Sequence, residues 1–150
     1  MQYYDHMLAS WVKKNTEYLF QATFAIALLS MLISLSLSEV FHFTPCVLCW
    51  YQRICMYPLV VFLGVAIWRK NKDIHLYILP LAIVGWLIAG FHTLLQWKII
   101  PDALAPCQAG ISCTTKFINF FGFVTIPFLS FVSFSGILLL MLAYWRYGSE

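Results

Sequence analysis

Two cysteine pairs and one arginine are the residues of this chain best suited to chemistry. Cys46 and Cys49 form a Cys-x-x-Cys motif in TPCVLCWYQR, Arg53 follows four residues later, and Cys107 and Cys113 form a Cys-x5-Cys pair. These spacings are compatible with a zinc site, with structural disulfides or with a redox-active dithiol. A Cys-x-x-Cys bridge closes a very small ring, and crosslinks stabilise a fold more when they close longer loops. The first pair therefore suits thiol–disulfide exchange better than crosslinking.

The chain that carries these cysteines is too apolar to be an ordinary water-soluble domain. Its 150 residues are 62% hydrophobic and 10% charged, whereas globular domains have about 25% charged residues. A membrane-spanning helix needs about 20 mostly apolar residues, and four stretches reach that length: residues 18–38, 47–68, 74–96 and 125–145. Backbone polar groups in lipid must be hydrogen-bonded within helices. We therefore predict an all-α polytopic membrane protein, with residues 1–150 forming one four-helix bundle.

The first apolar run is longer than the hydrophobic region of a signal peptide, which has about 7–15 residues. No clean small-x-small cleavage site follows it. We therefore expect that this run is not cleaved and forms the first membrane-spanning helix.

The positive charges predict the orientation of the four spans. Short loops rich in Lys and Arg stay in the cytoplasm. If the chain crosses four times, one side receives most of the basic residues, namely Lys13, Lys14, Arg69, Lys70, Lys72 and Arg146. Both termini are then cytoplasmic, and both cysteine pairs face the oxidising side, where disulfides persist. The net charge of +3 largely reflects this topology, and no nucleic-acid partner is expected.

The start of the second span places the first cysteine pair near a helix N-terminus. Thr44 suits the N-cap and Pro45 the first helical position, so Cys46 is predicted in the first turn and Cys49 one turn later. The partial positive charge of a helix N-terminus favours a thiolate. Arg53 lies on the same helix face as Cys49 and could stabilise a thiolate or a developing oxyanion. The alternative is an arginine that snorkels to the membrane interface.

Two further polar side chains are predicted at the same depth. His92 and Gln96 in GFHTLLQW are four residues apart, so they share one face of the third span near its outer end. They are candidates for ligand binding, and the alternative is a packing role. Cys55 lies more than one turn deeper than Cys49, where a small buried apolar residue is the simpler interpretation.

The motif CVLCWYQR resembles the Cys-x-x-Cys-x-x-x-Arg signature of the DsbB family of bacterial membrane disulfide oxidoreductases. The resemblance covers nearly the whole chain, because the four spans, both cysteine pairs and the HTLLQ run all match. The short Cys-x5-Cys loop and VTIPFLSF are most similar to the smaller, BdbC-type members. The resemblance implies a multi-pass thiol:quinone oxidoreductase of the bacterial cytoplasmic membrane, in a route of the DsbA–DsbB–quinone type. The implied acceptor is menaquinone or ubiquinone, and no metal is implied.

The resemblance also implies a role for each cysteine. Cys107 would be attacked by a DsbA- or BdbD-like thioredoxin-fold thiol oxidase, which it would help to reoxidise. Cys113 would then exchange with Cys46, and Cys49 would be the thiolate that faces the quinone. Only five residues separate Cys107 from Cys113, fewer than in the longer family members. Cys113 could therefore expel the partner before Cys46 captures it.

The remaining site residues are implied to bind the quinone. Arg53 matches the family arginine that contacts it and would stabilise the reduced, anionic ring. His92 lies where the family's histidine-containing run approaches the same site, and Gln96 is a weaker candidate. Two alternatives stay open at this point: a quinone reductase of the vitamin K epoxide reductase type, and a non-enzymatic membrane protein with two structural disulfides. The former usually has its motif at the start of the last helix rather than the second.

Overall fold

The computed structural model describes residues 2–71, 73–101, 113 and 125–148, so Cys107 lies outside the described residues. This part of the chain forms five helices and no strand: α1 (Gln2–Lys14), α2 (Thr16–Glu39), α3 (Val47–Arg69), α4 (His75–Gln96) and α5 (Ile126–Tyr147). Helices α2 to α5 are each long and apolar enough to cross a membrane. The predicted all-α, four-span membrane architecture is therefore confirmed. The location of the termini stays a prediction.

The four long helices begin and end within two residues of the predicted spans. Helix α1 is additional to them; it precedes α2 and packs on α5 and α2. In the bundle, α3 packs between α2 and α4, and α5 packs against both α4 and α2. The carboxyl ends of α2 and α4 and the amino ends of α3 and α5 meet at one end of the bundle, which we call the cysteine end.

The centre of the bundle is packed with fully buried apolar side chains, among them Leu59, Ala82 and Phe134. Helices α4 and α5 approach closely at Gly85, where a Cβ atom would overlap the Phe134 ring; small residues permit such close helix packing in membranes. Cys55 belongs to this core, with 5% of its surface exposed, as predicted.

Two hydrogen bonds between polar side chains join helices inside the bundle, as is common in membrane proteins. Ser30 Oγ donates to Ser133 Oγ at 2.9 Å, which joins α2 to α5. Trp86 Nε1 donates to Ser135 Oγ at 2.9 Å, which joins α4 to α5. These hydrogen bonds connect α2 and α4 to α5 inside the bundle.

Helix α3 begins at Val47, two residues later than the predicted N-cap at Thr44 and first helical residue at Pro45 require. Its N-cap is Cys46, with φ −71° and ψ 170°, and the Cys46 sulfur accepts a hydrogen bond from the backbone N–H of Cys49 at 3.4 Å. The prediction that Thr44 caps the helix and that Cys46 lies in its first turn is therefore wrong. The extended ψ of Cys46 excludes it from the helix, and its sulfur takes the place of the capping oxygen. This places the sulfur directly at the helix N-terminus.

Candidate active site

Cys46 and Cys49 form a close pair of free thiols at the start of α3. Their sulfur atoms lie 3.1 Å apart, within hydrogen-bonding distance. Cys46 is buried and Cys49 is half-buried. The pair can form a disulfide by a small movement, since an S–S bond is about 2.05 Å long.

Hydrogen bonding lowers the pKa of Cys46 from 9.0 to about 4. The largest cause is the hydrogen bond from the Cys49 thiol, and His92 and the backbone N–H of Cys49 act in the same direction. Burial acts against them. Cys46 is therefore a thiolate at neutral pH. Thiolates are the attacking species in disulfide exchange, and a thiol of low pKa is also a good leaving group.

This ionisation predicts a thiolate that persists in mild acid. In protein reduced at Cys46 and Cys49, absorbance at 240 nm should show one thiolate step with a midpoint at about pH 4. Because folding depresses the pKa of Cys46, its contribution to stability is fully present above pH 9.0, declines as the pH falls and is lost below about pH 4. Cys46→Ser should remove the acidic step and Cys55→Ala should retain it. A Cys46 step near pH 9 would contradict the assignment.

His92 connects α4 to both cysteine segments. Its Nε2 lies 3.1 Å from the backbone oxygen of Cys113 and 3.7 Å from the sulfur of Cys46, and its Nδ1 lies 3.1 Å from Nε2 of Gln52. Gln96 Nε2 also donates to the Cys113 oxygen, at 3.5 Å. Each of these five residues is less than 8% exposed. The structure thus brings the predicted residues His92 and Gln96 to the first cysteine pair and to Cys113.

Arg53 is anchored to α2. Its Nε donates to Ser34 Oγ at 2.9 Å, and its Nη2 donates to the Ser34 backbone oxygen at 2.7 Å. The guanidinium carbon lies 5.6 Å from the centre of the Trp50 ring, within cation–π range. These contacts hold the charge across the α2–α3 interface, where Arg53 and Cys49 line the same cavity.

That cavity has a volume of about 80 Å³, whereas one water needs about 10–15 Å³. It therefore has room for a group the size of several waters. Its lining combines the polar residues of the site with apolar side chains of α3 and α5, and includes Ser34, Cys46, Cys49, Gln52, Arg53, Tyr57, His92, Gln96, Cys113, Pro127 and Phe134.

Tyr57 lies one turn deeper than Arg53 on α3 and lines the same cavity. Its hydroxyl is buried and has no hydrogen-bond partner among the described residues. A buried hydroxyl without a partner is costly, so this group is suited to a ligand that accepts a hydrogen bond.

Three possible metal ligands also meet at this site. The Cys46 sulfur, a His92 ring nitrogen and the Cys113 sulfur lie within 4.8 Å of one another. A zinc site of this composition would need Cys113 as a thiolate. Cys113 is disulfide-bonded, so the arrangement fits disulfide exchange better than metal binding.

The family model described as disulfide bond formation protein DsbB matches residues 16–144. This chain belongs to the DsbB family. It is 44% identical over 128 residues to disulfide bond formation protein C of Bacillus subtilis (strain 168), an alignment that covers 85% of this chain and 93% of that protein. A probable disulfide formation protein C of Halalkalibacterium halodurans is 40% identical over 123 residues, covering 82% and 90%. A probable disulfide formation protein of Metapseudomonas resinovorans is 40% identical over 121 residues, covering 80% and 84%. No solved structure matches.

Membership in the DsbB family confirms the resemblance carried by CVLCWYQR, including its BdbC-type character. It also argues against the alternative that the protein is a quinone reductase of the vitamin K epoxide reductase type. Among the predicted site residues, the DsbB-type motif residues Cys46, Cys49 and Arg53 line one cavity with His92, Gln96 and Cys113. Cys107 falls outside the described residues.

Two residues of this DsbB-family site were not predicted, Gln52 and Tyr57. Gln52 did carry a signal, because a buried amide within an apolar span usually has a specific partner. Tyr57 carried none, because a tyrosine within an apolar run is typical of lipid-facing bulk.

Proposed function

We propose that this protein is a thiol:quinone oxidoreductase of the bacterial cytoplasmic membrane, which reoxidises a DsbA-like thioredoxin-fold partner. Membership in the DsbB family and the names of its relatives, disulfide bond formation proteins, support disulfide chemistry. One observation carries the proposal furthest. The Cys46 sulfur lies 3.1 Å from that of Cys49 and within 4.8 Å of that of Cys113, beside a cavity that Arg53 also lines.

The proposed electron route is a chain of disulfide exchanges. A partner thiolate attacks Cys107, breaks its bond to Cys113 and leaves the electron pair on Cys113. The Cys113 thiolate attacks Cys46, and the Cys46–Cys49 bond breaks with the electron pair on Cys49. The sulfurs of Cys113 and Cys46 need to approach by less than 3 Å to bond, given their separation and an S–S length of about 2.05 Å. This proximity supports capture of Cys113 by Cys46.

The residues around the cavity fit a quinone. Its ring is flat and largely apolar, and its carbonyl oxygens accept hydrogen bonds. Arg53 offers a positive charge beside Cys49, and Tyr57 offers a buried hydroxyl that lacks a partner among the described residues. A bound quinone supplies a two-electron acceptor that is soluble in the membrane. We propose that Arg53 and Tyr57 hold it, with Cys49 as the nearest thiol.

The Tyr57 hydroxyl is expected to strengthen quinone binding. Tyr57→Phe removes only the hydroxyl, so the Kd of a quinone should rise about 5–10-fold, as for loss of one neutral hydrogen bond. Quenching of tryptophan fluorescence in detergent-solubilised protein measures this Kd. Tyr77→Phe on α4 is the matched control, because Tyr77 is 67% exposed and does not line the cavity. An unchanged Kd in Tyr57→Phe would remove Tyr57 from the proposed site.

We propose that the cysteine end faces the extracytoplasmic side, as the basic residues at the opposite end indicate. A soluble thioredoxin-fold partner then meets Cys107 in the oxidising compartment. The quinone reaches Cys49 from the lipid.

Trapping the partner tests the function as a whole. In Cys113→Ala the resolving thiol is absent, so Cys107 should accumulate as a mixed disulfide with one thioredoxin-fold protein. Non-reducing electrophoresis followed by mass spectrometry identifies that protein. The double variant Cys107→Ala/Cys113→Ala should show no adduct. If Cys113→Ala captures no protein with a reactive dithiol, the proposed partner chemistry is wrong.

A further inference from the structure

Gln52 constrains the protonation of His92. The side-chain nitrogen of Gln52 lies 3.1 Å from Nδ1 of His92. An amide nitrogen donates hydrogen bonds and does not accept them, so Nδ1 must be the acceptor. A neutral imidazole with an unprotonated Nδ1 carries its proton on Nε2.

The contact on the other side of the ring requires a proton on Nε2. His92 Nε2 lies 3.1 Å from the backbone oxygen of Cys113, and a carbonyl oxygen only accepts. Nε2 must therefore donate. The same nitrogen lies 3.7 Å from the Cys46 sulfur, which accepts hydrogen bonds as a thiolate. Two independent neighbours thus agree on the Nε2–H tautomer.

The burial of Gln52 and His92 favours one tautomer of His92 over the other. Gln52 is 6% exposed and His92 is 1% exposed, so little water competes for the ring nitrogens, and a mismatched hydrogen bond in such a place is costly. In the opposite tautomer, Nδ1–H would face the amide N–H of Gln52, and the Nε2 lone pair would face the Cys113 oxygen. Both contacts would be repulsive.

We propose that Gln52 is a positioning residue that holds His92 as the Nε2–H tautomer, with its N–H directed at the Cys46 sulfur and the Cys113 carbonyl. The tautomer itself follows from the geometry, whereas its use in electron transfer rests on the proposed function. When the Cys107 thiolate, freed by departure of the oxidised partner, attacks Cys113 of the Cys46–Cys113 disulfide, the Cys107–Cys113 bond forms again and the electron pair of the broken S–S bond is left on Cys46. The His92 N–H stabilises that charge on Cys46 by donating a hydrogen bond, and the proton stays on Nε2.

This arrangement also defines what His92 does not do. In the Nε2–H tautomer the ring presents no lone pair to Cys46, so His92 is not the general base that ionises this thiol. The Cys46 thiolate is formed by its hydrogen bonds, and His92 contributes as a fixed donor. The carbonyl contact joins the Cys113 segment to the same nitrogen, which keeps Cys113 beside Cys46.

The tautomer is measured directly by ¹⁵N NMR of the histidine ring in detergent-solubilised, selectively labelled protein, with His92→Asn to assign the signals. In the wild type we expect a protonated Nε2 and an unprotonated Nδ1. In Gln52→Glu, recorded at a pH at which the new carboxyl group is ionised, the carboxylate has nearly the same shape and can only accept, so Nδ1 should become protonated. In Gln52→Leu the donor is lost without replacement, and the Nδ1 shift should move towards that of a nitrogen without a hydrogen bond.

Thr23→Val is the matched control. It also removes a buried hydrogen bond, since Thr23 Oγ1 donates to the Leu19 oxygen at 2.7 Å, but it lies outside the cavity lining. It should leave the His92 spectrum unchanged. A wild-type Nδ1 that carries the proton would overturn the proposal without any variant. So would a Gln52→Glu spectrum in which the carboxylate is ionised and Nδ1 is still unprotonated.

The functional consequence has a separate readout. Without Gln52, His92 no longer holds its N–H on the charged Cys46 sulfur. Gln52→Leu should therefore lower kcat for quinone reduction by the reduced partner about 10-fold, as for loss of a hydrogen bond to a charged group, while the KM for quinone stays near the wild-type value. A loss confined to KM would overturn the positioning role. If the wild type does not reduce quinone at all, the proposed function fails while the NMR result on the tautomer stands.

Discussion

Cys49→Ser is expected to abolish quinone reduction while the protein still reacts with its thiol partner. A serine hydroxyl forms no disulfide and does not ionise at neutral pH, so the Cys113 thiolate finds no Cys46–Cys49 bond to break and the electrons stop at Cys113. The loss should be on the order of a thousandfold or more, as for removal of a catalytic nucleophile. The measurement is the decrease in quinone absorbance when the purified protein is supplied with a reduced dithiol protein.

The position of Cys49 makes this experiment specific. Its sulfur lies 3.1 Å from that of Cys46 and lines the cavity with Arg53. In Cys49→Ser, Cys46 keeps its thiol and its proximity to Cys113, so the mixed disulfide with the partner should still form. Cys55→Ala is the control, because Cys55 is a free, buried cysteine of the bundle core; its turnover should stay close to the wild-type value. Unchanged turnover in Cys49→Ser would show that another thiol faces the quinone.

The spans and the closeness of Cys46 to Cys49 could be predicted because each depends on local information. An apolar run of about 20 residues has few structural alternatives, and the four helices begin and end within two residues of the predicted positions. The motif around Cys46 and Cys49 is a pattern of neighbours in the chain, as is the spacing of His92 and Gln96.

The features that the sequence did not predict depend on neighbours that are distant in the chain or on competition between close acceptors. Gln52 of α3 meets His92 of α4 across the helix interface, although the two residues are 40 positions apart in the chain. Arg53 is anchored by Ser34 of α2, 19 residues away. The N-cap of α3 was placed at Thr44 because hydroxyl oxygens are the usual caps. The Cys46 sulfur accepts the Cys49 N–H instead.

The position of the α3 N-cap at Cys46 instead of Thr44 has a chemical consequence. The Cys46 sulfur in the N-cap position accepts the backbone N–H of Cys49 and lies 3.1 Å from the Cys49 sulfur and 3.7 Å from His92 Nε2. The late start of α3 therefore places the Cys46 sulfur where its hydrogen bonds lower its pKa.

Arg53→Gln is expected to weaken the use of quinone by about 10–100-fold in KM, the usual range for losing a charge-assisted hydrogen bond. The guanidinium carries a permanent charge beside Cys49, and glutamine keeps a polar group of smaller reach without that charge. Arg53→Lys retains the charge but cannot bond both Ser34 Oγ and the Ser34 backbone oxygen with a rigid fork. Its KM should therefore lie between those of the wild type and Arg53→Gln.

Two measurements separate quinone binding from folding in these variants. The KM for quinone should change as described, whereas trapping of the partner in the Cys113→Ala background should be unaffected, because among the described residues the hydrogen bonds of Arg53 go to Ser34 of α2. Ser34→Ala removes one of the two anchoring bonds and leaves the carbonyl oxygen in place, so a smaller rise in KM is expected. Equal loss of quinone reduction and partner trapping in Arg53→Gln would assign Arg53 to the stability of the α2–α3 interface. A loss confined to quinone reduction would show that Arg53 acts in quinone binding.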